Sequence, residues 1–109
     1  MEIEQESEVA DWFDGLPLSL FAHVVFHVDR LAQLGPSLRM PHSRALGDGL
    51  FELRFDLESV SWRISYFFPG DERIVLLTVF RKQRNNERKE IFRARVARKV
   101  CIEQHGEGY

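Results

Sequence analysis

Arg54 and Arg63 carry the charges in this sequence best placed for chemistry. Phe51, Leu53, Phe55 and Leu57 alternate with Glu52, Arg54 and Asp56, and Trp62, Ile64, Tyr66 and Phe68 alternate with Arg63, Ser65 and Phe67. A period of two is the signature of a strand with one buried face. If a short loop around Glu58 and Ser59 joins the two runs with their apolar sets on one side, Arg54 stands directly opposite Arg63, and Glu52 opposite Ser65. Like charges so placed cost up to about 1 kcal/mol relative to neutral pairs, so something must offset them. A surface lattice with Glu52 and Asp56 would do so. So would a bound anion, because two guanidiniums can grip a phosphate bidentately.

A second concentration of cations follows. Arg81, Lys82, Arg84, Arg88, Lys89, Arg93, Arg95, Arg98 and Lys99 face only Glu87 and Glu90 over the same stretch, a balance of +7 within a chain whose formal net charge is −2. The counterweight is the N-terminal segment 1–14, with Glu2, Glu4, Glu6, Glu8, Asp11 and Asp14 and no Lys or Arg. A basic segment of this kind is a footprint for nucleic acid or for an acidic partner, and it is also what a solvated helix face looks like.

The remaining reactive types offer less. His23 and His27 share a helical face at i and i+4, but no spacing supplies two more ligands, so neither a metal site nor a cofactor is expected. His42 is the histidine nearest the first of the two alternating runs, where an imidazole could act as a base near neutral pH. Tyr66 falls with the apolar set and reads as core. Cys101 is the only cysteine, which excludes an internal disulfide; it reads as a small apolar helix residue.

The elements that must position these groups are legible from periodicity. Met1 to Gln5 alternates weakly around Ile3, as a short edge strand would. Ser7 to Gly15 and Leu18 to Leu34 read as two helices, the second with Phe21, Val24, Val25, Val28, Leu31 and Leu34 as its apolar stripe and Gly35-Pro36 as its stop. The two alternating runs are followed by Ile74 to Phe80, nearly continuously apolar, as in a strand covered on both faces. Glu87 to Gln104 returns to helical spacing, with Asn85 or Asn86 as cap and Phe92, Val96 and Val100 as a narrow stripe between arginines. At 109 residues, 44% of them hydrophobic, the chain suits one domain over 1–109. No apolar run approaches the roughly 20 residues of a membrane span, so a cytoplasmic protein with neither anchor nor leader is expected.

Read together, Met40-Pro41, Leu46-Gly47-Asp48-Gly49-Leu50-Phe51-Glu52-Leu53-Arg54, Trp62-Arg63-Ile64-Ser65-Tyr66-Phe67-Phe68 and Val75-Leu76-Leu77-Thr78-Val79-Phe80-Arg81-Lys82 resemble the phage-derived branch of the RelE/HigB toxins, within the RelE/ParE superfamily. The resemblance covers about Val9 to Lys99. It implies an α+β, RelE-like fold: two N-terminal helices packed on a twisted antiparallel sheet of three to four strands, with a basic C-terminal helix. It also implies the toxin of a toxin–antitoxin pair, a metal-independent endoribonuclease that cuts ribosome-bound mRNA by attack of a 2′-hydroxyl on its own phosphate. Its partners would be the ribosome, mRNA and an antitoxin, expected to be a helix-turn-helix protein. By this resemblance Arg54, Arg63, Arg81 and Lys82 clamp the scissile phosphate, while Arg84, Arg88 and Lys89 hold RNA. The clamp arginines would lie on a polar face away from the core, so that alanine at either would leave the fold intact.

The sequence departs from that pattern at Glu52, where the best-known relatives carry lysine, at Phe92, where a tyrosine would stand, and at Gln83-Arg84-Asn85-Asn86, which replaces a turn rich in lysine and threonine. A non-catalytic protein of the same fold, which inhibits DNA gyrase or only binds its antitoxin, is the other expectation; the missing tyrosine and Glu52 favour it, and the convergent arginines favour the nuclease.

Overall fold

Residues 1–105 are described in the computed structural model. Its elements are β1 (Glu2–Gln5), α1 (Ser7–Asp14), α2 (Leu18–Leu34), a 3-10 turn (Gly35–Ser37), β2 (Ser43–Gly47), β3 (Leu50–Leu57), β4 (Val60–Gly70), β5 (Arg73–Arg81) and α3 (Glu87–His105). The alternating runs become β3 and β4 in the expected register: Arg54 opposes Arg63, Glu52 opposes Ser65, and Phe55 opposes Trp62. Glu58 and Ser59, both at positive φ, make the tight turn between them, a conformation that suits the right-handed twist of a hairpin.

The sheet itself corrects the expected fold. It is a five-stranded mixed sheet in the order β1-β5-β4-β3-β2, not the antiparallel sheet of three to four strands beneath two N-terminal helices that the RelE-like layout implies. The chain opens with a strand, and that strand runs parallel to β5, with Ile3 beside Ile74. Backbone bonds from Glu2 N to Glu72 O and from Glu6 N to Leu76 O, both 2.9 Å, fasten its two ends. Four residues carry too little pattern to name a partner 70 positions away, which is why periodicity could not place it. At the other edge β2 pairs antiparallel with β3 through Arg44 and Glu52. Its hairpin turns at Gly47-Asp48-Gly49, where all three φ are positive; glycine adopts these angles without Cβ strain.

Helices cover both faces. Odd-numbered β3 residues Leu53, Phe55 and Leu57, with Ile64, Tyr66, Ile74 and Leu76, pack against Val9 and Phe13 of α1 and Val24, Val28 and Leu31 of α2. The opposite face carries Leu50, Phe67, Val75 and Leu77 beneath Ala94 and Cys101 of α3. β5 thus serves two cores, as its continuous apolar run predicts. Ser65 opposes Thr78 while Tyr66 opposes Leu76, so Leu77 is an extra residue in β5. This bulge keeps Ser65 and Thr78 hydrogen-bonded on the α3 side.

α3 packs with a face other than the stripe its large apolar residues suggest. Small Ala94 and Cys101 meet the sheet, while Phe92, Val96 and Val100 are 68%, 45% and 44% exposed. Arg93 sets the rotation, donating to Val79 O at 3.0 Å and pairing with Glu8 and Glu90. Arg95 and Arg98 donate to the carbonyls of Leu46 and Asp48. Asn86 precedes the helix, but its side chain joins Gln83 N to Arg81 O and so ties the β5–α3 turn.

This orientation predicts an inverted mutational pattern. Val96→Ala should change unfolding free energy by under about 0.5 kcal/mol, as at most surface positions. Ala94→Leu should cost about 1–3 kcal/mol by overpacking. Urea unfolding of both variants checks it; the reverse order would mean that α3 is rotated.

Candidate functional site: a cationic cleft at the free edge of β3

β2 accompanies β3 only as far as Leu53, which pairs with Ser43. Beyond that point the edge of β3 is met by the preceding loop, with Arg54 N donating to His42 O at 2.8 Å. A cleft of about 720 Å³ opens there. Met40, Pro41 and His42 border it from the loop, His23 and His27 from α2, Arg54 and Asp56 from β3, and Ser61 and Arg63 from β4. Because it wraps round a strand edge, it collects side chains from both faces of the sheet.

The two arginines differ in their freedom. Arg54 is half-buried, directs Nη1 to Met40 Sδ at 3.3 Å and makes no direct ion pair among the described residues. Arg63 is 7% exposed; its Nη1 donates to Trp62 O at 3.0 Å, and its Nε lies 3.8 Å from Glu52 Oε1. Glu52 is fully buried, and neither carboxylate oxygen accepts a hydrogen bond among the described residues. Burial pushes the Glu52 carboxyl above the ordinary glutamate range, against the pull of Arg63, Arg44 and Arg54. Burial first, and then Arg54, holds the Arg63 guanidinium below its usual value. Glu52 is therefore an interior counter-charge and no part of a surface lattice. Arg63 is part of the packed interior, so the expectation that Arg63→Ala leaves the fold intact does not hold.

The other cations divide. Arg44 opposes Glu52 and so shares its face; it bonds Glu87 Oε1 at 3.2 Å, tying β2 to the first turn of α3. Lys82 continues the strand with its N bonded to Ser61 O at 2.8 Å, which puts it on the side of Arg63, and its Nζ donates to Gln83 O at 2.9 Å. Arg81 opposes Trp62. It therefore points to the α1–α2 side and is not brought together with Arg54 and Arg63. Arg84, Arg88 and Lys89 are exposed at the turn into α3 and in its first turn.

The histidines come closer to the arginines than their spacing suggested. His27 stacks on Phe55 with centroids 5.4 Å apart and on His23 at 5.2 Å. Its Nδ1 lies 3.1 Å from Arg30 Nη2 and must accept there, since a guanidinium only donates. Burial and then the Arg30 charge lower its pKa to about 4, so His27 is neutral at neutral pH. Among the described residues no group of three or more His, Cys, Asp or Glu is placed to hold a metal ion. Sequence reasoning put His42 near the site but missed His23, His27 and Arg44. The i, i+4 histidine pair was visible, but not that α2 lays it beside Phe55; Arg44 needed recognition of the Gly47-Asp48-Gly49 hairpin. A groove of about 600 Å³ between α1 and α2 is the contrasting case: Phe13, Phe21, Val25, Asp14 and Asp29 line it without a cation, so it offers nothing to a phosphate.

The Glu52–Arg63 pair yields a stability test. Removing one member leaves the other charge buried and uncompensated, so Glu52→Leu or Arg63→Met should each cost about 3–5 kcal/mol. Exchanging both at once, Glu52→Leu with Arg63→Met, should cost much less than the two single losses combined. Additive costs in a denaturant-unfolding cycle would show that the two charges are not coupled.

The family model described as Phage derived protein Gp49-like (DUF891) matches residues 11–99, from α1 through most of α3. That span contains every residue of the cleft. No curated protein matches the sequence. Among the described residues no helix is long and apolar enough to cross a membrane. The matched span covers most of the chain, which therefore belongs to the phage-derived Gp49-like family, a toxin-like family related to the RelE-type toxins.

Proposed function

We propose that the protein is the toxin of a toxin–antitoxin pair, of the RelE/HigB kind in its activity, and that it cuts mRNA on the ribosome at the β3 edge cleft. One observation carries this reading: Arg54 and Arg63 stand opposite each other in register and open together into a cleft bordered by imidazoles. In the proposed reaction the 2′-oxygen of one nucleotide attacks the adjacent phosphorus and loses its proton to an imidazole, for which His42 and His23 are the candidates. The 5′-oxygen leaves and takes up a proton, giving a 2′,3′-cyclic phosphate and a 5′-hydroxyl end. Arg54, free of a carboxylate, meets the charge that grows on the phosphate oxygens, and Arg63 adds a fixed positive field from beneath. Lys82 stands on the same side of the sheet. Arg84, Arg88 and Lys89 extend the cationic track on which the RNA backbone would run.

The burial of Arg63 against Glu52 favours a second reading, in which the same fold binds DNA gyrase or only an antitoxin and cuts nothing. Induction in a bacterial host separates the two. The nuclease reading expects growth arrest with cleaved mRNA, relieved by Arg54→Ala. Losing one charge-assisted phosphate contact of about 1.5–3 kcal/mol should slow cleavage by about ten- to a hundredfold. Circular dichroism should show the variant folded, since Arg54 has no buried partner to orphan. Arrest by Arg54→Ala as strong as the parent's would sink the clamp; arrest with intact mRNA and a DNA-damage response would establish the gyrase reading.

A further inference from the structure

The outward face of α3 combines two features that the chain's own folding leaves unexplained. The first is apolar. Phe92, Val96 and Val100 follow one another at i, i+4 and i+8 and stand 68%, 45% and 44% exposed, with Ile102, at 42%, on the other flank of the helix by Phe67, Phe68 and Arg98. At a rise of 1.5 Å per residue Phe92, Val96 and Val100 make a ridge about 12 Å long. The bulky apolar residues of this helix face outward while small Ala94 and Cys101 face the sheet. Folding alone rewards the opposite arrangement.

The second feature is the division of charge around the helix. Cations that lean toward the body of the protein are paired: Arg93 with Glu8 and Glu90, and Arg95 with Asp48. Arg98 donates to Asp48 O. Arg88, Lys89 and Lys99, which are exposed and belong to the outward side, have no partner among the described residues. Unpaired cations alone would suit RNA. An apolar ridge beside them asks for more than RNA, because a base could stack on Phe92 but the aliphatic Val96 and Val100 offer it no ring. A helix of the opposite pattern, apolar along one stripe with carboxylates on both flanks, satisfies both features at once.

We infer that the outward face of α3, centred on Phe92, Val96 and Lys99, docks an acidic amphipathic helix of the antitoxin. The identity of the carrier rests on the toxin–antitoxin reading; the chemistry of the docked segment rests on the surface alone. Such a helix would cover Arg88 and Lys89. At its α3 N-terminal end it would come up beside Glu87 and Arg44, on the sheet face that carries Glu52 and Arg54. It would thereby take away the cations proposed to hold the RNA backbone without having to fill the cleft.

Binding of a labelled synthetic peptide of about 18 residues, with leucines at i, i+4, i+7 and i+11 flanked by glutamates, tests the surface independently of any nuclease activity. The full chain should bind it, more weakly as salt is raised. Phe92→Ser and Lys99→Glu should each weaken binding by about tenfold or more. Both residues are exposed, and circular dichroism verifies that the variants fold. The proposal is overturned if the peptide does not bind, if the same peptide with lysine for glutamate binds equally well, or if Phe92→Ser has no effect. It is equally overturned if phosphatidylserine vesicles bind the protein through Phe92 and the peptide does not, or if sedimentation shows a dimer that Phe92→Ser dissociates. A nuclease-negative protein that binds the peptide as expected would reject the RNA-cutting reading and leave this surface standing.

Discussion

The register of β3 against β4 is the constraint on which the rest of this protein depends. Eight consecutive pairs, from Leu50 with Phe67 to Leu57 with Val60, place the apolar residues that these two strands give to the α1–α2 core, Leu53, Phe55, Leu57, Ile64 and Tyr66, on one side of the sheet. A slip of β3 by one residue would turn Leu53 and Phe55 to the opposite face and put Arg54 beneath the helical pair. The same pairing forces Arg54 beside Arg63. Two like charges on facing positions of adjacent strands are therefore inherent in the register, and the molecule has to manage them. It does so unequally: Arg63 is sunk against Glu52, and Arg54 is left at the sheet edge without a direct carboxylate partner among the described residues.

That inequality gives the cleft its character. A buried ion pair is a weak source of stability but a strict one, because either charge alone is costly in the interior. Glu52 and Arg63 hold each other in place, and the remaining cation, Arg54, faces the space bordered by His23, His27 and His42. His27, stacked on Phe55 and kept neutral, acts as wall and not as charge. The short reach of β2 completes the arrangement, since a longer β2 would pair with β3 beyond Leu53 and close the edge at which the cleft opens.

The sequence made some of this legible and hid the rest for identifiable reasons. Period-two alternation needs no tertiary information, so β3, β4 and their register could be read from residues 51–68, and the continuous run at 74–80 announced a strand buried on both faces. β1 could be read as a short edge strand but not given its partner, because its parallel pairing is specified by backbone bonds to Glu72 and Leu76, which leave no mark on composition. α3 was legible as a helix, but its packing face was not, because Arg93, Arg95 and Arg98 anchor it through carbonyls and carboxylates and turn its large apolar residues outward. The arginines at 54 and 63 were found by charge and spacing. Their difference in burial was not, because it depends on Glu52, a residue whose position in the alternating run suggested a solvent face.

In the proposed nuclease a phosphate of RNA would sit at the edge of β3 beyond Leu53. Nuclear magnetic resonance titration with a short RNA carrying a 2′-deoxy substitution at the cut site, which can bind but not react, tests it most directly. The Arg54 Nε–H and His42 ring resonances should move together and saturate together, and Arg54→Ala should abolish the His42 response. Shifts confined to the outward face of α3, or to the α1–α2 groove, with Arg54 and His42 unmoved, would contradict it.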